Sequence, residues 1–265
     1  MKKILITTIL TILMLPASAQ KASGDDIRER VNMFGAGLTN ILDSYLSPYN
    51  YHGQSFNYMR EYNRRSRLMK GRFTTQSLCT ARLGMAENGA HTGTEISGLF
   101  TLSRAWHYNY RPAERLRLML GPQIGGSTGF IYNVRNSNNP AEGIFNLDIG
   151  LSAAASYEFQ ICGRPLLARL QADIPLLGIM FSPHYGESYY EMFELGEKDK
   201  GNFPLTHPFN NPSFRHLLTL DFPLMKYTLR AGWLCDIRQS KVRGIRRHIW
   251  SNSIMMGIVR KFQLL

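Results

Sequence analysis

Between Phe145 and Gln160 the chain alternates between two kinds of residue without a slip. One parity reads Phe145, Leu147, Ile149, Leu151, Ala153, Ala155, Tyr157 and Phe159; the other reads Asn146, Asp148, Gly150, Ser152, Ala154, Ser156, Glu158 and Gln160. Successive side chains of an extended chain point to opposite faces of a sheet, so this segment is a ribbon with one apolar and one polar wall. Wound as a helix, the two sets would mix around the circumference. The run is also about three times as long as an ordinary strand. A long two-faced strand is what a transmembrane barrel requires, with one wall meeting lipid and the other lining the lumen.

The same pattern recurs. Leu116, Leu118, Leu120, Ile124, Phe130 and Tyr132 oppose Arg115, Arg117, Gln123 and Ser127. Ala168, Leu170, Ala172 and Ile174 oppose Arg169, Gln171 and Asp173, and the wall from Tyr227 to Ile237 opposes Thr228, Arg230, Gly232, Asp236 and Arg238. Turned to lipid, an arginine near the bilayer midplane would cost about 2–4 kcal/mol; turned inward, it can pair and hydrate. The expected strands are 31–44, 54–67, 70–86, 94–110, 115–132, 144–160, 164–182, 213–222, 226–239 and 246–263, of which 54–67 and 70–86 are polar on both faces. Short turns near Met69, 111–114, 161–164 and 223–225 alternate with longer loops at 45–53, 87–93, 133–143, 183–212 and 240–245. Bacterial outer-membrane barrels show this asymmetry, with short periplasmic turns and longer outer loops. The sequence thus predicts an all-β, antiparallel up-and-down barrel of about ten strands, with eight or twelve as neighbouring counts. Aromatics fall where girdles belong: Trp106, Tyr108, Tyr110, Tyr157, Phe159 and Tyr227 toward the turns, Phe130 and Tyr132 toward the loops. A water-soluble barrel or sandwich, or a pair of β domains, fits less well, because neither needs an apolar outer wall of such length.

The first residues read as an export signal. Lys2 and Lys3 precede an apolar run from Ile4 to Leu15, Pro16 breaks it, and Ala17-Ser18-Ala19 supplies the small-residue pattern for a cut before Gln20. The expected organisation is a signal peptide over 1–19, a periplasmic lead over 20–30, and a barrel over 31–265 with a long outer loop at 183–212. No later stretch approaches 18 uninterrupted apolar residues, so helical spans are excluded. After the cut, 29 Lys and Arg remain against 19 Asp and Glu. An exported chain has little use for nucleic acid, so this basic balance points to outer-membrane lipid and lipopolysaccharide phosphates, or simply to solvated loops and a polar lumen. The final strand is amphipathic with a near-terminal aromatic, Phe262, the kind of ending that barrel assembly machinery reads. Cys79, Cys162 and Cys235 are scattered singly and read as unreactive.

The run from Gly37 through Thr39-Asn40, Leu42-Asp43 and Tyr45-Leu46-Ser47-Pro48 to Tyr51-His52-Gly53 resembles the opening of a family of uncharacterised outer-membrane barrels from Bacteroides-type bacteria. The resemblance implies a barrel and Gram-negative export, and it implies no chemistry.

Three constellations invite a catalytic or metal reading. Arg246-Arg247-His248-Ile249-Trp250-Ser251-Asn252 resembles the His/Ser cluster of outer-membrane lipid A deacylases, in which a serine needs an adjacent base. His248 and Ser251 are three apart, however, so a regular strand faces them oppositely and only a bulge could pair them. Asp43, His184, Asp199, His207 and Asp236 could form a protease-like acid and histidine set at the rim. His91, His107, His207 and His216 show no metal-ligand spacing, so neither metal nor cofactor is expected. What remains is an inward ionic set of Arg115, Arg117, Asp148, Glu158, Arg169, Asp173, Asp221, Arg230 and Asp236. Ten strands lie near the size at which side chains fill the lumen. The expected function is therefore a non-enzymatic barrel with a plugged lumen, acting through its outer loops, chiefly 183–212, on an extracellular or lipid partner that the sequence does not identify. An outer-leaflet lipid hydrolase and a narrow solute pore are the alternatives.

Overall fold

The computed structural model describes residues 27–66, 72–137, 139–186, 188–190 and 201–263. The export signal, the cut before Gln20, most of the lead, Met69, Asp199 and the side chain of Phe262 lie outside the described residues.

The chain forms eleven strands: β1 (Ile27–Asp43), β2 (Tyr51–Ser66), β3 (Phe73–Asn88), β4 (Thr94–Ala113), β5 (Leu116–Asn133), β6 (Ala141–Ile161), β7 (Arg164–Met180), the two-residue β8 (Leu205–Thr206), β9 (Phe214–Leu224), β10 (Tyr227–Val242) and β11 (Ile245–Gln263). Each long strand pairs antiparallel with its neighbour in the chain, β7 pairs with β9, and β11 returns to β1, so ten long strands close a ring. β8 is an extra piece on the upper part of β7, where Gly178 faces Thr206 and Ile179 faces Leu205. Closure leaves each of the ten long strands with a partner on both sides. Both ends of the ring's chain, Ile27 and Gln263, are register partners, so they share one end of the barrel, here called the terminal end.

Alternation governs burial along the strands. On β6, Phe145, Leu147, Ile149, Leu151 and Tyr157 are exposed outward while Ile144, Ser152, Ala154 and Ser156 are buried within the ring. Two irregularities break the ladders. Opposite Ile149 and Gly150 the register of β7 skips Leu176, and both Leu176 and Leu177 are exposed; a bulge of one residue is what sets two successive side chains on the same face. The other lies between Tyr110 and Ala113, at the foot of β4.

The turns between β6 and β7 (Cys162-Gly163) and between β10 and β11 (Arg243-Gly244) each have positive φ at both positions, the geometry of two-residue hairpins that matches strand twist. The second corrects the sequence reading, which made 240–245 a longer loop. Alternation cannot see a hairpin tip, because the strands simply continue into it.

The lumen also departs from expectation. It holds two apolar layers besides polar groups. Val31, Met33, Met59, Leu78, Leu217, Leu234, Met255 and Val259 form one, and Ile41, Leu46, Tyr51, Ala86, Leu99, Ile131, Ile144 and Ile249 form the other, near the loop end. A ring of ten strands is narrow enough to fill with side chains, and where no water enters, close-packed apolar groups are as suitable as paired ions.

Candidate functional site

The inward faces build a cross-braced ionic core. Arg230 is 2 % exposed and donates to Asp221 through Nε (2.6 Å) and Nη2 (2.8 Å), to Glu61 Oε2 through Nη1 (2.6 Å) and to Glu29 (3.0 Å). Glu61 Oε1 accepts from Arg169 at 2.6 Å and from Gln76 at 2.5 Å. Gln76 and Gln171 exchange amide hydrogen bonds of 3.0 and 2.8 Å. These contacts join β2 and β3 to β7 and β10 across the ring. Asp173 then receives Arg215 at 2.6 and 3.0 Å, and Arg215 reaches Ser103 on β4 at 3.1 Å. Toward the loop end, Asp236 lies 3.2 Å from Arg238 and 3.5 Å from Arg82. An arginine fork satisfies carboxylate oxygens at two points at once, which is how charges can remain in a water-poor lumen.

Of the residues singled out in sequence, Arg169, Asp173, Asp221, Arg230 and Asp236 are buried in this core. Arg117 is half-buried and donates to Ser156 at 3.3 Å; Asp148 is half-buried in the lumen. Arg115 and Glu158 stand apart from it: Arg115 is exposed in the turn before β5, and Glu158 is exposed near the foot of β6, its amide donating to the Arg115 carbonyl. Both line an opening of about 340 Å³ at the terminal end, with Asp221 and Lys261. Glu61, the hub of the core, lies on a strand whose two faces both look polar, so alternation did not mark it.

One group in the core has the composition of a catalytic triad but not its wiring. Ser152 Oγ donates to Asp173 at 2.5 Å, and His107 Nε2 stands 2.8 Å from the same oxygen. A hydroxyl has one proton. With that proton on Asp173, His107 must donate from Nε2, so it cannot serve as the base for Ser152; moreover, the carboxylate touches the serine rather than the histidine. Ser152 and His107 are fully buried. The group is therefore a structural tie.

The deacylase-like reading of His248 and Ser251 fails on geometry. β11 keeps unbroken register with both β1 and β10 through this segment. Ser251 faces the lumen, 3 % exposed, 3.2 Å from Ser55. His248 faces outward, stacked on Trp250 at 4.5 Å and 2.7 Å from Asn40 Oδ1. With no bulge to rotate one of them, the barrel wall separates them. The rim set also disperses: Asp43 and Asp236 are inside, His184 accepts from Arg243, and His207 sits in a loop beside Phe209. His91 lies beside Glu87, His216 lies against Trp233, and among the described residues no three His, Cys, Asp or Glu converge as a metal site. The cysteines are unpaired, with Cys162 exposed and Cys235 buried.

The loop end is capped. The turn after β1 folds over the lumen: Asp43 accepts from the Tyr45 amide through its carboxylate and from the Leu46 and Ser47 amides through its carbonyl. Leu46, Ser47 and Tyr51 are buried beneath, and Tyr51 joins Ser47 (3.1 Å) to Asn133 (3.0 Å). Asn133 also binds Glu95, and Arg247 reaches Glu142 at 3.4 Å. Tyr189 closes the side, its hydroxyl accepting from the Gly143 amide at 2.7 Å. Burial, with the Glu142 carboxyl nearby, pushes the Tyr189 phenol up to about 12.

On the outside, Trp106, Tyr108, Tyr110, Tyr157 and Tyr227 are exposed toward the terminal end, with Phe159 stacked on Tyr157, while Phe130 and Tyr132 are exposed toward the loop end.

A closed ring of ten long strands, apolar without and braced within, defines an outer-membrane β-barrel. Similar folds recur among solved structures: the transport unit of the autotransporter AIDA-I from Escherichia coli (10 % identity, 95 % of each chain covered, TM-score 0.49), the translocator domain of the autotransporter NalP from Neisseria meningitidis (10 %, 97 % and 96 %, 0.43) and the outer membrane protease OmpT from Escherichia coli (7 %, 93 % and 100 %, 0.46). No curated protein sequence matches the chain. The chain belongs to the family described as protein of unknown function (DUF3316), which matches over residues 4–265.

Proposed function

We propose that this protein is a closed, non-enzymatic module of the outer membrane that acts through its capped loop end on an extracellular or lipid partner, with the terminal end on the periplasmic side. The observation that carries the reading is the brace across the lumen. Glu61 on β2 is held at 2.6 Å by both Arg169 on β7 and Arg230 on β10, so opposite walls are tied to one carboxylate. An ion moving through would have to break charge-assisted bonds that have no water to replace them. The Asp43 turn and Tyr51 close the other end, leaving 48–50 and 134–137 at its surface. Export, barrel assembly machinery and contact with outer-membrane lipid and lipopolysaccharide belong to the same reading, and the basic composition supports the last of these.

Planar-bilayer recording tests the closure. The reconstituted barrel should give no discrete conductance steps at moderate salt. Reproducible unitary steps from the wild-type protein would replace this reading with a pore.

A further inference from the structure

The outer wall is not uniform around its circumference. On β6 the outward apolar row runs from Phe145 to Tyr157. At a rise of about 3.3 Å per residue and a tilt near 40°, that row spans roughly 30 Å of membrane. On β2 the outward row is Gln54, Phe56, Tyr58, Arg60, so only two apolar residues separate polar ones, and the same geometry gives about 15 Å between Gln54 and Arg60. β1 is similar: Phe34, Ala36 and Leu38 lie between Asn32 and Asn40.

The terminal side of this narrow wall is cationic. Arg60, Arg104 and Arg260 are exposed on the outward faces of β2, β4 and β11, and none of the three guanidiniums has a hydrogen-bond or ion-pair partner among the described residues. The Arg104 guanidinium lies 5.8 Å from the Trp106 ring, drawn toward the girdle. Arg28 and Arg30 lie beside them on β1, each with contacts of its own, and Arg30 is directly opposite Arg260 in register. The outward faces of β11, β1, β2, β3 and β4 carry no Asp or Glu in this half, because Glu29 and Glu61 point inward to Arg230. Arg60, Arg104 and Arg260, next to a short apolar belt, therefore take their counter-charge from outside.

We propose that this one-sided strip is a binding surface for the phosphate headgroups of anionic glycerophospholipids in the leaflet at the terminal end. A bidentate guanidinium suits a phosphodiester. Phe34, Phe56 and Ile258, exposed immediately on the membrane side, give the acyl chains a surface that a soluble phosphate would not use. The short belt draws headgroups toward the arginines, as a bilayer thins at hydrophobic mismatch. The strip is at the end opposite the loops, which favours the periplasmic leaflet over lipopolysaccharide. The proposal goes beyond the closed-module reading and needs only a barrel in a bilayer, so a conducting barrel would leave it intact.

Native mass spectrometry of the full barrel released from micelles tests it, with phosphatidylglycerol, phosphatidylcholine and phosphorylated lipid A offered in parallel. Each cation near an anionic surface contributes about fivefold, so wild type should retain phosphatidylglycerol over phosphatidylcholine, and the triple variant Arg60→Gln, Arg104→Gln, Arg260→Gln should lose about 100-fold of that preference. The Lys triple variant should regain most of it, and both variants should keep heat-modifiable mobility in SDS, which reports folding. Equal retention of the two glycerophospholipids by wild type overturns the proposal. So does an unchanged preference in the Gln variant, a stronger preference for lipid A through these arginines, or a discrete oligomer that dissociates in the Gln variant, since the strip would then be a subunit contact.

Discussion

Replacing Glu61 by Gln removes one charge from the hub of the lumen and almost nothing else. The side chain is 1 % exposed, and its two oxygens receive Arg169, Arg230 and Gln76 at 2.5–2.6 Å. Arg230 would keep both oxygens of Asp221 and its contact with Glu29. Arg169 would keep neutral acceptors only, the Gln171 amide oxygen at 2.8 Å and at best the one carbonyl oxygen that the new amide retains, and no carboxylate. The variant therefore leaves one buried guanidinium uncompensated. Breaking a buried pair costs about 3–5 kcal/mol, and since Arg230 stays neutralised the lower end applies. With a urea dependence of about 2 kcal/mol per molar, the unfolding midpoint in lipid vesicles should fall by about 1.5 M. Trp106, Trp233 and Trp250 are exposed on the outer wall, so their emission reports the loss of lipid contact. Removing both charges with Glu61→Met and Arg169→Met should return the midpoint to within about 0.5 M of wild type, because apolar groups of similar size can replace a buried pair. A wild-type midpoint in Glu61→Gln, or a double variant worse than the single, would refute the claim that the core is held by charge compensation.

Met255, fully buried in the lumen's apolar layer, should cost about 2–5 kcal/mol on replacement by Ala, whereas Leu38→Ala, 69 % exposed to the outside, should cost about 0.5 kcal/mol; urea titration in vesicles separates the two. His248→Ala and Ser251→Ala should leave lipid A acylation unchanged by mass spectrometry, singly and together, because the wall stands between the two side chains. Gly163→Ala should lose about 1 kcal/mol from left-handed strain alone, since φ is 74° and nothing lies within 4 Å of the added carbon; an unchanged midpoint would mean that the hairpin reopens freely.

Period-two alternation is a property of each strand by itself, and it was therefore legible. Residues 144–160 show which face is apolar, and the ten long strands, their antiparallel order and the tight turn at 162–163 follow from that pattern plus turn residues, while the turn read at 223–225 falls at 225–226 because Pro223 and Leu224 continue β9. Where one strand carries polar groups on both faces, as at 51–66, the pattern has no contrast, and Glu61 was invisible for that reason. The one-residue slip at Leu176 also escaped it, because an inserted residue among Ile174, Leu176, Leu177 and Ile179 leaves the composition apolar throughout.

Ring closure decided the rest. Arg169 and Glu61 are 108 residues apart, and Arg230 and Glu61 are 169 apart. Nothing local announces that three such residues share a site; they meet only because β2, β7 and β10 face one another across the lumen. The same closure dries part of that lumen, which is why Met33, Met59 and Leu234 lie inside it where a strand-by-strand rule would place only polar groups. The sequence by itself determined a membrane-spanning ring of two-faced strands, because each strand's chemistry is written along it. The partners across the ring, and the wall that keeps His248 from Ser251, exist only once the strands are brought into a circle.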